Sequence, residues 1–143
     1  MLRFDVPRVW SNVIRLEAFI TFAVAALALA FNFAWLMALL VALGLVRGFF
    51  GHHRCPSHHL WKALMLRANC AGKLEDAGAK MFANKILFIA SGVSLALFLS
   101  GSELWMVPAS MLVVFATLEW AFSFCAACWV YGAWYRRFPP ASA

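Results

Sequence analysis

Apolar positions in this chain run continuously rather than alternating. Residues 18–46 contain no Asp, Glu, Lys or Arg. Residues 86–102 form a second such run and 104–118 a third. A fourth, 120–135, is separated from the third only by Glu119. A helix needs about 20 mostly apolar residues to cross a bilayer. The first run widens to 13–50 if Arg15 and Glu17 lie near an interface, where long polar side chains snorkel. Asn32 sits near its middle, with about 19 residues on either side. That predicts two spans, 13–31 and 33–50. The second half repeats the plan, with a span at 86–100, a turn at Gly101-Ser102-Glu103 and a span at 104–135. Pro108 falls near the start of the last span, where its missing N–H costs little.

The loop 51–85 is the only sizeable segment outside these runs. Within it, 58–67 places Leu60, Trp61, Leu64 and Met65 on one helical face. This predicts a short amphipathic helix lying in the inner interface. Lys73 to Gly78 reads as a charged turn. The loop is too short and too poor in apolar residues to form a domain of its own. The expectation is an all-α integral membrane fold, one domain over 1–143, with four transmembrane helices as two hairpins.

Composition sharpens this. The chain has 143 residues, 65% hydrophobic and 13% charged, with mean hydropathy +0.82. Soluble domains carry about 25% charged residues. A soluble globule, a disordered chain, a collagen, a coiled coil and a secreted disulfide scaffold are excluded. Net charge is +6, but the basic residues flank apolar runs, so topology accounts for them without a nucleic-acid partner. With both hairpin turns outside, all 12 Lys and Arg lie inside, and the outer turns carry only Glu103. The positive-inside rule then places both termini in the cytosol of a multi-pass membrane protein. Trp10, Trp129, Tyr131, Trp134 and Tyr135 would form an inner aromatic belt, with Trp35 and Trp105 at the outer face. Arg3 and Arg8 ahead of an apolar stretch ending Ala28-Leu29-Ala30 have the outline of a signal peptide. Apolar sequence continues straight past Ala30, so a retained helix is expected.

Three features carry candidate chemistry. Cys125-Ala126-Ala127-Cys128 puts two thiols at i and i+3, on one helical face with Cα atoms about 5 Å apart, within disulfide range. A dithiol and a small-residue helix contact both fit. The pair is expected well along the fourth span, toward its C-terminal end, where the helix dipole disfavours a thiolate and Arg136 and Arg137 offset it in part. On the cytosolic side all four cysteines are reduced by default. Second, 52–59 holds all four histidines, His52, His53, His58 and His59, with Cys55. That set is a candidate zinc or soft-metal cluster, although adjacent His pairs point apart and ordinary interfacial residues read equally well. Third, Glu119 is an acid inside an apolar helix, which calls for a function or a partner. Arg15, Arg47 and Lys85 are the candidate partners. Helical spacing puts Glu119 opposite the cysteine pair. P-loop, GxSxG and HExxH patterns are absent.

The segment Phe122-Ser123-Phe124-Cys125-Ala126-Ala127-Cys128-Trp129-Val130-Tyr131 resembles the terminal Phe-x-Phe-Cys-x-x-Cys-x-x-Tyr signature of the bacterial membrane family catalogued as domain of unknown function 4395. Asp5 to Val9 and Gly51 to Pro56 are similar to that family's pattern before the first span and after the second. Ala127 and Trp129 depart from the Gly and the acid that the family often carries at those places. The resemblance implies a membrane protein whose cysteine pair takes part in thiol or sulfur chemistry.

Three functional readings follow. Cys125 and Cys128 form a redox or sulfur-relay dithiol; or they pass a soft metal ion (Cu, Hg or Zn) to Cys55 and the histidines, similar in outline to the small mercury transporters; or the chain is an accessory subunit of a larger membrane complex. Expected partners are the lipid bilayer and other protein chains or further copies of this one.

Overall fold

The computed structural model describes residues 8–139. Arg3, counted in the charge asymmetry, and Asp5 to Pro7 of the family resemblance lie outside them. The described chain runs β1 (Val9–Trp10), α1 (Ser11–Ala30), α2 (Leu36–Leu45), α3 (Pro56–Arg67), β2 (Leu74–Glu75), α4 (Ala77–Leu99), α5 (Met106–Phe122) and α6 (Ala126–Arg137). Helix dominates as expected. The correction is one small antiparallel ladder, Val9 opposite Glu75 and Trp10 opposite Leu74, where a plain charged turn was expected. Asp76 ends that turn as the N-cap of α4, its carboxylate accepting from the Gly78 N–H at 2.9 Å.

Both hairpins close in the same way. After α1, Asn32 adopts left-handed backbone (φ 51°), and the Phe33 N–H donates back to Ala28 O at 2.9 Å. After α4, Gly101 does the same (φ 77°), and the Ser102 N–H donates to Leu97 O at 3.0 Å. These are Schellman stops, which need a residue tolerant of positive φ and satisfy the last helical carbonyls. Asn and Gly are the two residue types best suited to it.

α1 packs on α2 and α5, α2 on α4, and α4 on α5, closing a ring of four helices. The core near the hairpin turns is built of Ala25, Ala28, Ala34, Met37, Leu40, Leu87, Trp105, Ala109 and Leu112. Its alanines let helix backbones approach closely. Gly44 and Gly48 carry this furthest. A Cβ at Gly44 would sit 2.7 Å from Phe88 N, and one at Gly48 would sit 3.0 Å from Lys85 N. These are backbone atoms of α4, which cannot rotate away. Gly44→Ala is therefore expected to cost about 1–3 kcal/mol by overpacking. Gly92→Ala, with open space around its Cβ, should stabilise its helix by about 0.5–1 kcal/mol. Denaturant titrations of the two variants beside wild type check both signs.

Three helical segments, Ser11–Ala30, Ala77–Leu99 and Glu103–Phe122, are long and apolar enough to cross a membrane. A shorter apolar helix, Leu36–Phe50, makes the fourth arm. The ring exposes Leu39, Ile89, Leu99, Val107 and Val114, an outer surface that suits lipid rather than water. Three expectations of extent are corrected. The third apolar helix begins at Ala77, inside the expected loop 51–85, not at residue 86. The last apolar helix ends at Phe122, not near residue 135. The second is shorter than 33–50 and finishes in a single π turn at Val46–Phe50.

Candidate functional site

At the end of the ring opposite the hairpin turns, polar groups are drawn inward. Glu17 is 3% exposed and Arg47 2%. Arg47 Nη2 lies 3.2 Å from Glu17 Oε1. The pairing follows from the hairpin: the two residues stand 15 positions before and after Asn32, so antiparallel helices bring them level. The π turn aims Arg47 inward, and π turns often mark functional places. The expectation that Glu17 snorkels to an interface is thus overturned. An apolar neighbourhood makes the paired state favourable, and neighbouring helices supply the partners.

His58 comes in on α3, and His52 on the short turn His52–Arg54 before it. His58 Nδ1 is 3.1 Å from Glu17 Oε1, and His52 Nε2 is 3.9 Å from Glu17 Oε2. Asn84 Nδ2 donates to Lys80 O at 2.9 Å and to His52 Nε2 at 3.3 Å. This leaves the His52 proton on Nδ1. Burial pushes His52 down to about 4, against a smaller upward pull from Glu17, so the ring is neutral at pH 7. Arg47 Nη2 also donates to Ser57 Oγ at 3.0 Å, and Ser57 Oγ lies 3.0 Å from Cys55 Sγ. Burial raises the Cys55 thiol, but the Ser57, His58 backbone and Arg47 contacts outweigh it and hold the thiol below its ordinary value.

The five residues of the candidate metal cluster are therefore divided. His52, His58 and Cys55 are buried around Glu17 and Arg47, whereas His53 and His59 stay outside, His59 Nε2 bonding to His53 O. Among the described residues, no group of three or more His, Cys, Asp or Glu side chains is arranged to hold a metal ion. α3 forms where the amphipathic helix was expected, but its buried residue is His58, while Leu60 and Leu64 are exposed.

The cysteine pair is where sequence reasoning was furthest from the structure. α5 ends because Ser123 adopts left-handed backbone (φ 56°) and the Phe124 N–H turns back to Leu118 O at 3.0 Å. Arg15 caps the same end, donating through Nε and Nη2 to Trp120 O at 3.1 and 2.9 Å. A new helix then starts, with Cys125 as its N-cap and Cys125 Sγ accepting from the Cys128 N–H at 3.2 Å. The pair is thus at the positive end of a helix, not toward the negative end of a long one. The two cysteines form a disulfide in this structure, Cα atoms 5.1 Å apart, within the range their spacing predicts. Cys70 is exposed, and Cys55 is buried and free.

Glu119 is paired by Lys80, with Nζ to Oε1 at 2.9 Å, and Lys80 also reaches Glu75 at 3.3 Å. Lys80 takes the role for which Arg15, Arg47 and Lys85 were the candidates. The helix break also removes Glu119 from the face opposite the cysteines. Glu119, Lys80, Glu17, Arg47 and Cys125 all line one cavity of about 260 Å³, whose remaining walls include Ile14, Ala18, Phe82, Leu87, Phe115, Ala116 and Val130. Apolar walls with a few convergent polar groups are the usual make-up of a small-molecule site.

The family model described as "Domain of unknown function (DUF4395)" matches residues 9–136. None of the curated proteins matches the chain, and no solved structure does.

Proposed function

The chain belongs to this family of unknown function, and on that premise we propose that it is a thiol–disulfide or sulfur-handling protein of the bacterial inner membrane that works through Cys125 and Cys128. In this reading α1, the Leu36–Phe50 arm, α4 and α5 are four spans in two hairpins. Both termini, α3 and α6 lie on the cytosolic side, a placement the distribution of Lys and Arg supports. The observation that carries the reading is the position of Cys125 at the N-cap of α6, facing the cavity. A thiolate there gains from the helix dipole and from the Cys128 N–H. The cavity supplies two further acid–base groups, Glu119 and Lys80, beside it. The disulfide and the dithiol are then two working states of one site.

The expected result is unequal reactivity. In reduced protein, Cys125 should alkylate at least about tenfold faster than Cys128 at pH 7, because the helix end favours its thiolate. Timed iodoacetamide labelling with peptide mass spectrometry reads both rates, and metal analysis is run on the same sample. Two equally slow thiols that never re-form the disulfide under diamide would reject the proposal. Thiols that label only after a chelator removes a bound ion would replace it with the soft-metal reading.

A further inference from the structure

The cavity beside Cys125 has a chemistry of its own. Most of its lining is apolar, yet two buried ionic groups in its wall are incompletely satisfied. Arg47 Nε and Glu17 Oε2 have no hydrogen-bond partner among the described residues, and both side chains are at least nine-tenths buried. A buried donor and a buried acceptor left open are costly and uncommon. Both atoms have under 1 Å² of open surface, so it is Lys80 and Glu119, the other polar pair of the wall, that a ligand in the cavity can reach. Lys80 and Glu119 repeat the same donor–acceptor combination on the cavity wall.

We propose that this cavity takes the head group of a lipid-soluble quinone, which is the two-electron partner of the Cys125–Cys128 dithiol; the inference rests on the dithiol reading above. A quinone carbonyl accepts from Lys80. The hydroxyl formed on reduction donates to Glu119. The ring suits the apolar walls. The step balances. The S–H bonds of Cys125 and Cys128 break and one S–S bond forms. Two electrons pass from the thiols to the ring, and the two thiol protons end on the two hydroquinone oxygens.

The test uses the whole protein in detergent, reduced, freed of reductant and held without oxygen. Decylubiquinone is the probe. Wild type should form one hydroquinone, read by ultraviolet absorbance, for each pair of Cys125 and Cys128 thiols lost. Cys128→Ser should form none while still binding decylubiquinone, read by tryptophan quenching. Ala116→Phe fills the cavity and should slow quinone reduction at least tenfold relative to its own diamide oxidation. Ala126→Leu serves where that variant does not fold. Thiols that close with diamide but leave decylubiquinone unreduced overturn the quinone inference alone. Thiols that close with neither overturn the dithiol reading too. Quinone reduction unaffected by either filling variant would mean reaction at the surface, and the cavity assignment fails.

Discussion

Arg47→Ala is expected to destabilise the protein by about 3–5 kcal/mol, the usual cost of removing one member of a buried ion pair. The guanidinium holds Glu17 at 3.2 Å and Ser57 at 3.0 Å, with both charged side chains almost fully buried. Its loss leaves a carboxylate facing an apolar cavity with only His58 and His52 close to it. Most of the cost is that stranded charge, so it should not appear when both partners go. Glu17→Leu with Arg47→Met should be more stable than Arg47→Ala, because two apolar side chains of similar size replace the pair. Unfolding curves in mixed detergent micelles give the ranking. A double variant as weak as the single would show that packing of the long Arg47 stem, not the charge on Glu17, makes the difference.

The second large effect is on pH. His52 titrates near 4 in the folded protein against 6.5 in an unfolded chain, mainly because burial opposes its charged form. Between those values the unfolded state binds the proton and the folded state does not, so stability falls as pH falls. At about 1.4 kcal/mol per unit of difference, the full loss near pH 4 is about 3 kcal/mol. Glu17 partly opposes it, while His58, Arg47 and Lys80 add to it. His52→Gln removes the titrating ring and should flatten the stability profile between pH 6.5 and 4 by about that amount. Parallel profiles for wild type and variant would mean that the acid sensitivity lies in another group.

Much of the architecture was legible because hydrophobic periodicity and turn chemistry are local. Asn32 and Gly101 marked both hairpin turns, since a helix reversal needs a residue that accepts left-handed backbone. The small-residue spacing of Gly44 and Gly48 is visible in the chain, but which helix they meet is not. The partners of the buried charges were harder. Glu17 and Arg47 are equidistant from Asn32 and pair through the hairpin, so that contact was within reach of register arithmetic. Lys80 with Glu119 was not, because it depends on how α4 and α5 rotate against each other.

The sequence by itself determined a mostly helical protein with several apolar helices of membrane-spanning length and membership of its family, because run length and composition suffice for these. Only the tertiary structure decided where the chemistry sits. The apolar run through Glu119 to residue 135 reads as one helix, since the sequence around Ser123 carries no Gly or Pro. The break there depends on Ser123 taking left-handed backbone and on Arg15, more than 100 residues away, capping the Trp120 carbonyl. That long-range contact turns Cys125 from a residue inside a helix into the first residue of a new one, at its positive end and facing a cavity.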